Sequence, residues 1–281
     1  MKLTQRLAIN YIRLKFRVLS LISPRKSAMA AFKLFCTPLN KSKKQTPPVF
    51  KFAEPVYELF NGRKLKGYRW NKGQSKKVLI LHGFESAAHK FHNYVLMLME
   101  KGYEVLAFDA PAHGSSDGET INAIEYKEMV KKIMADYGPV ENFIAHSFGG
   151  LAVCLALEDM QHSSNTRVVL IAPATETTSA IGNAFKMIGI TNKKVREEFD
   201  KIILQVGGHG PEWFSVNRAI SNLNAQVLWV HDADDDTTPL LDALKTKDKK
   251  LPHVRFMITK GLGHRRIYTD KDVMDEVVAF L

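Results

Sequence analysis

The sequence predicts an α/β fold: a mostly parallel, doubly wound sheet with a small helical insertion and a basic N-terminal extension. Two observations carry this expectation. From Lys77 onward, short apolar runs without polar alternation follow one another: Val78–Leu81, Val105–Phe108, Phe143–Ala145, Val168–Ile171, Val227–Val230 and Val254–Ile258. Stretches near 88–101, 120–137, 150–161 and 270–281 carry helical patterns between and after them. Strands buried on both faces read as continuous apolar runs, and their alternation with helices is the pattern of a parallel sheet.

Taken in order, residues 1–48 form the extension. Residues 1–77 hold 19 Lys/Arg against 2 Asp/Glu, and the remainder 21 against 27, which together give the net charge of +11. The basic character thus belongs to the extension and not to the body, which argues against a nucleic-acid-binding protein. Met1–Ile22 is too charged to span a bilayer and lacks a clean signal-peptide cleavage site. On a helix, Lys2, Arg6, Arg13 and Arg17 share one narrow face, while Leu3, Leu7, Tyr11, Leu14, Val18 and Leu21 share another. That pattern fits contact of residues 1–26 with an anionic membrane surface. It also fits a helix packed on the protein's own body, or a transit-type segment. Lys41–Pro48 reads as an exposed linker. Residues 49–70 suggest two short strands around an Asn61-Gly62 turn.

Residues 49–281 are expected to form the main domain. Between Pro173 and about Leu223 the strand–helix rhythm breaks, so an insertion is expected over about 176–223. Composition is globular, with 45% hydrophobic and 25% charged residues. Two cysteines, Cys36 and Cys154, are too few for a disulfide framework, and the expected location is cytoplasmic, free or peripheral on the inner face of a membrane.

In open parallel sheets, functional residues gather at the carboxyl ends of strands. Those ends read His82-Gly83-Phe84, Asp109-Ala110-Pro111-Ala112-His113-Gly114-Ser115-Ser116, Ser147, His231 through Pro239, and Gly263-His264. At Ala145-His146-Ser147-Phe148-Gly149 an apolar run stops at a serine, and a helical pattern follows. A serine on a tight strand-to-helix turn presents its hydroxyl clear of the backbone, opposite a helix N-terminus that favours negative charge. A serine, an acidic cluster and a histidine therefore follow three strands in that order.

These five motifs together resemble the α/β-hydrolase family from about residue 66 to 281. His82-Gly83-Phe84 resembles the oxyanion loop, and the segment from Asp109 to Ser116 the loop often written D-x-x-G-x-G-x-S. Residues 145–149 resemble the nucleophile elbow, with Ala145 in its first glycine place. His231–Pro239 resembles the acid loop H-G-x-x-D-x-x-x-P, with Asp232 in the glycine place. The resemblance implies Ser147 as nucleophile, His264 as general base and Asp235 as the orienting acid, with Asp234 and Asp236 as neighbours that could cap the next helix or face solvent. It implies an oxyanion hole from the backbone N–H groups of Phe84 and Phe148, and structural parts for His82, His113, His146 and Asp109. The insertion becomes a cap, with Trp213 and Phe214 as candidates for the substrate pocket. The expected activity is hydrolysis of a carboxylic ester or thioester of a small apolar acyl group through an acyl-enzyme, with no metal or organic cofactor. Alternatives are a lysophospholipase or monoacylglycerol lipase-like enzyme at a membrane surface, and a non-catalytic binding protein or membrane adaptor of the same fold. Peptidase, C–C hydrolase and acyltransferase activities share the same triad.

Overall fold

The strands of the sheet are β1 (Glu54–Phe60), β2 (Arg63–Trp70), β3 (Lys77–Leu81), β4 (Glu104–Phe108), β5 (Asn142–His146), β6 (Arg167–Ile171), β7 (Gln226–Asp232) and β8 (Val254–Thr259). The computed structural model describes residues 3–40 and 46–281, with side chains from residue 9 onward. The sequence readings that rest on Lys2, on the side chains of Leu3, Arg6 and Leu7, and on Lys41–Gln45 of the linker lie outside the described residues. The helices are α1 (Leu3–Ile22), α2 (Pro24–Phe35), α3 (His92–Glu100), α4 (Ala123–Tyr137), α5 (Phe148–Glu158), α6 (Thr177–Ile188), α7 (Lys193–Gly207), α8 (Val216–Ala219), α9 (Leu240–Asp248), α10 (Gly263–Arg266) and α11 (Lys271–Phe280). The chain divides into two compact units, residues 1–37 with 176–214 and residues 38–175 with 215–281.

The second unit holds the sheet, in the order β1-β2-β4-β3-β5-β6-β7-β8. β1, β2 and β4 pair antiparallel, and every pairing from β4 through β3 to β8 is parallel. The expected hairpin turns at Asn61 (φ 50°) and Gly62 (φ 74°), a left-handed pair that matches strand twist. Each apolar run of the sequence lies within a strand; β3 to β7 are buried on both faces and need no polar side, whereas the edge strand β8 is half-exposed. Val78, Ile80, Val105, Ala107, Ile144 and Val230 pack on one face with Tyr94, Val95 and Leu98 of α3 and Val273, Val277 and Val278 of α11. The other face carries α5, which packs on β3 and β5 and in turn against α4. α4 opens with a capping box in which Asn122 and Glu125 satisfy each other's backbone amides.

The first unit is helical. Phe32 and Phe35 of α2 and Phe185 of α6 all meet the Phe199 ring of α7 edge to face, at centroid distances of 5.8, 5.9 and 5.0 Å. Arg13 Nε donates to Met187 O (3.0 Å), Asn192 Nδ2 to Ser20 O (3.4 Å), and Arg25 pairs with Glu198 (3.3 Å). This grouping differs from the division expected from sequence. The N-terminal helices are not set apart as an extension of residues 1–48, but share a core with residues 176–214. Residues 215–223, assigned to the insertion, belong instead with the sheet. Val216 N donates to Thr175 O (2.8 Å), and Arg218 pairs with Glu158 of α5.

Candidate active site

The serine is placed by a strained turn. Ser147 sits between β5 and α5 with φ 54° and ψ −118°, a backbone state that costs a non-glycine residue of order 1–3 kcal/mol. Its neighbours hold it there: Ser147 N donates to Ile171 O (3.1 Å), and Ser147 O accepts from Gly150 N (2.9 Å) and Ala174 N (2.9 Å). The two glycines that follow permit the close approach. A Cβ on Gly149 would lie 2.6 Å from Leu81 O, and one on Gly150 2.8 Å from Pro173 Cβ. Alanine at 149 would gain about 1 kcal/mol of helix propensity and lose more to a clash with unyielding backbone.

The histidine and the acid converge on that serine. His264 Nε2 lies 3.1 Å from Ser147 Oγ, and His264 Nδ1 lies 2.8 Å from Asp235 Oδ2. With Nδ1–H donating to the carboxylate, Nε2 presents a lone pair to the serine hydroxyl. Asp235 is buried and fully engaged: Oδ1 accepts from the amides of Thr237 (2.9 Å) and Thr238 (2.8 Å), and Oδ2 from Thr238 Oγ1 (2.9 Å) as well as from His264. Burial works to raise its pKa, but His264 and the donated hydrogen bonds outweigh it and hold the carboxyl below its ordinary value. Among the described residues, Asp236 is bonded only by the neighbouring Thr237 hydroxyl (3.1 Å).

Two residues given no role in the sequence reading organise this corner. Asp232, read only as a departure from glycine, is fully buried. Its Oδ1 accepts from Asp234 N (3.0 Å) and Gly263 N (2.9 Å), and its Oδ2 from Thr259 Oγ1 (2.7 Å) and Leu262 N (3.0 Å). One carboxylate thereby ties the acid loop to the histidine loop. Asp234 adds a second tie through Gly261 N (3.0 Å). The signal in the sequence was an acidic side chain where a glycine is expected, two residues before another acid. Thr238 is the other. Its hydroxyl lies 2.9 Å from Asp235 Oδ2, 3.1 Å from His264 Nδ1 and 3.2 Å from Ala172 O. Thr238→Val removes a donor from the carboxylate that orients His264, worth about 1–2 kcal/mol. We expect kcat to fall roughly 5- to 30-fold with KM unchanged, and Thr238→Ser to restore it. An equal loss in the serine variant would place the effect in packing and not in the hydroxyl.

The remaining histidines of these loops are neutral scaffold by geometry. His82 accepts from Ala110 N at Nε2 (3.0 Å) and bonds Gly83 O through Nδ1 (2.8 Å). His113 accepts from Glu85 N (3.0 Å) and bonds Pro111 O (2.9 Å). His146 bonds His264 O through Nε2 (3.0 Å), with its ring 4.7 Å from the His264 ring. Burial lowers the pKa of His82 and His113 to about 4 and that of His146 to about 3. Asp109 accepts from Ala88 N and Ser115 N, both at 2.9 Å, so its carboxylate binds two loops together. Burial pushes its pKa up.

On the other side of the serine, a Cβ on Gly83 would lie 2.8 Å from Ser147 Cβ, so the loop before Phe84 rests directly on the elbow. The amides of Phe84 and Phe148 donate to no group among the described residues. Their side chains meet edge to face at 6.0 Å, and Phe148 also meets Tyr126 at 5.4 Å, so an apolar ring cluster includes the residue that follows the serine. Trp213 and Phe214 belong to the helical unit. Trp213 stacks on His209 (4.3 Å), and Phe214 is buried against Gly207 and Trp213.

A mostly parallel eight-stranded sheet, with a serine on a left-handed turn after β5 and an acid and a histidine after β7 and β8, is the architecture of α/β-hydrolases. The family model for serine aminopeptidase S33 matches residues 73–232, more than half of the chain. The chain belongs to this family. The sn-1-specific diacylglycerol lipase ABHD11 of Danio rerio is 26% identical over 157 residues, covering 53% of this chain and 46% of that protein. The chain spans less than half the length of the curated relatives it matches. Among solved structures, the Pyrococcus furiosus esterase Pf2001 superposes with a TM-score of 0.65 at 20% identity, covering 87% of this chain and 98% of that one. Mouse alpha/beta hydrolase domain-containing protein 10 gives 0.58 at 17% identity, covering 81% and 96%. At these identities the structural likeness is one of fold.

Proposed function

We propose that this protein is a serine hydrolase that cleaves a carboxylic ester or thioester of a small apolar acyl group. The hydrogen-bonded line Ser147 Oγ–His264 Nε2, His264 Nδ1–Asp235 Oδ2 carries the reading. Ser147 Oγ attacks the acyl carbon while His264 takes its proton, and Asp235 stabilises the resulting imidazolium. The carbonyl oxygen becomes an oxyanion, held by the amides of Phe84 and Phe148. One such donor is worth about 3–4 kcal/mol in the transition state. Collapse of the tetrahedral intermediate breaks the acyl–oxygen or acyl–sulfur bond, and His264 returns its proton to the leaving alkoxide or thiolate. Water then enters by the reverse route and releases the acid and free Ser147. The rings of Phe84 and Phe148 suit an apolar acyl chain. Trp213 and Phe214 are retained as pocket candidates.

A second reading, a lipid-derived ester such as a monoacylglycerol or lysophospholipid, is favoured by the name of the zebrafish relative, a diacylglycerol lipase, and by the exposed apolar face of α1 (below). A fluorophosphonate probe, followed by mass mapping of the adduct, tests the mechanism. We expect labelling at Ser147, then turnover of p-nitrophenyl acyl esters or acyl thioesters that peaks at a short or medium chain. Turnover of aminoacyl p-nitroanilides alone would replace the esterase reading with a peptidase. Absence of both labelling and turnover in the folded protein would favour a non-catalytic role.

A further inference from the structure

α1 has two apolar faces, and its own unit uses only one. At about 100° per residue, Ile12, Phe16 and Leu19 share an arc that turns inward, with Phe16 buried and the other two half-buried. Tyr11, Leu14, Val18, Leu21 and Ile22 share a second arc, about 100° wide and roughly 140° away. Their exposures are 69, 62, 48, 82 and 71%. This is the face that the sequence reading marked as apolar, and it is turned outward. The strips between the arcs are basic. Lys15 lies on one flank of the outward stripe, and Arg13 and Arg17 on the other, all exposed. Arg13 also reaches Met187 O, whose exposed side chain (55%) adds apolar surface beside the helix. The sequence holds no acidic residue before Glu54.

Single exposed apolar residues are ordinary, but five on one helix stripe mark a binding surface. A protein partner would be expected to supply acidic side chains in fixed places. A bilayer needs only an apolar stripe flanked by long cationic side chains, whose heads stay at the headgroup level while the stripe enters the acyl boundary. That is the arrangement here. No helix among the described residues is long and apolar enough to cross a membrane, so the contact is interfacial.

We propose that α1 lies flat in the interface of an anionic lipid bilayer, with Leu14, Val18 and Leu21 innermost and Lys15 and Arg17 against the headgroups. The proposal does not depend on the ester-hydrolysis reading. The test is flotation of the full chain with vesicles of phosphatidylcholine and phosphatidylglycerol (7:3) and with phosphatidylcholine alone. Thermal unfolding and hydrolysis of soluble p-nitrophenyl acetate serve as controls on each variant. We expect binding to the anionic vesicles that weakens with salt. Lys15→Gln with Arg17→Gln should reduce it by about fivefold per charge, roughly 30-fold together. Leu14→Glu with Leu21→Glu should reduce it at least ~10-fold, with unfolding temperature and soluble-ester activity unchanged. Absence of wild-type binding, or binding that survives Leu14→Glu/Leu21→Glu, would overturn the proposal. So would a concentration-dependent dimer abolished by the same pair, which would assign the stripe to a second copy of the chain.

Discussion

Ser147→Ala is expected to lower kcat/KM for an ester substrate by about 10⁴-fold or more and to abolish fluorophosphonate labelling, while the unfolding temperature stays within a degree or two. The asymmetry follows from what each atom does. Among the described residues the hydroxyl makes one side-chain hydrogen bond, to His264 Nε2, and its removal leaves no buried charge unpaired. The Cβ that rests against Gly83 is kept. Alanine meets the same backbone strain at φ 54° as serine, so the turn gains no new cost. As the proposed nucleophile, by contrast, the hydroxyl has no substitute. Residual hydrolysis would come only from the oxyanion amides and substrate binding, which act without a covalent intermediate. A Ser147→Ala protein within tenfold of wild type would sink the acyl-enzyme mechanism.

The second large effect is on stability in mild acid. His82, His113 and His146 are neutral in the fold, with pKa values lowered by burial to about 4, 4 and 3, against about 6.5 unfolded. Between those limits the unfolded chain binds more protons than the native state, so stability falls as pH falls. The loss begins near pH 6.5 and levels off only below about 3, the pKa of His146. With three such groups the slope reaches as much as about 4 kcal/mol per pH unit near pH 5, against a total stability of roughly 5–15 kcal/mol. Asp109 works the other way, since its raised pKa lets the native state take up a proton first. Asp232 and Asp235, with lowered pKa values, add to the loss only below the ordinary carboxylate range. The unfolding temperature, followed by circular dichroism from pH 8 to 4, should therefore drop steeply below pH 6. A flat profile down to pH 4.5 would show that these imidazoles are charged or exposed.

Much of the fold was legible because the parallel sheet is buried on both faces. Runs such as Val78–Leu81 and Val168–Ile171 had no polar side to disguise them. The positions of Ser147, Asp235 and His264 were legible for a related reason: each follows the end of such a run, and the structure brings the three within hydrogen-bonding distance. What escaped was non-local. Nothing near Phe32 or Phe35 announces that their partner is Phe199, more than 160 residues later. Asp232 looked like a defect in a glycine position because its four partners lie in the acid loop, at the end of β8 and in the histidine loop, which only the folded sheet brings together. Thr238 escaped because a hydroxyl has no pattern of its own. The α9 helix carries too weak an apolar stripe, with Ala243 and Thr246 its buried residues, to stand out from a loop.

The helical unit, assembled from the start of the chain and a segment beginning at Glu176, also sets the order of events on the ribosome. α2 cannot bury its aromatic face until α7 has been made, about 170 residues later. At roughly 5–20 residues per second, that leaves Phe32 and Phe35 uncovered for about 10–30 s of synthesis, long after the first strands have emerged. Nascent chains stalled before residue 193 should hence be cleaved by chymotrypsin at these two phenylalanines, and chains stalled well past residue 214 should resist. Equal cleavage at both lengths would mean that the N-terminal helices find their partner only after release. During that interval both apolar faces of α1 are open at once. The helix proposed to enter a bilayer interface is thus at its most available before the proposed active site has been made.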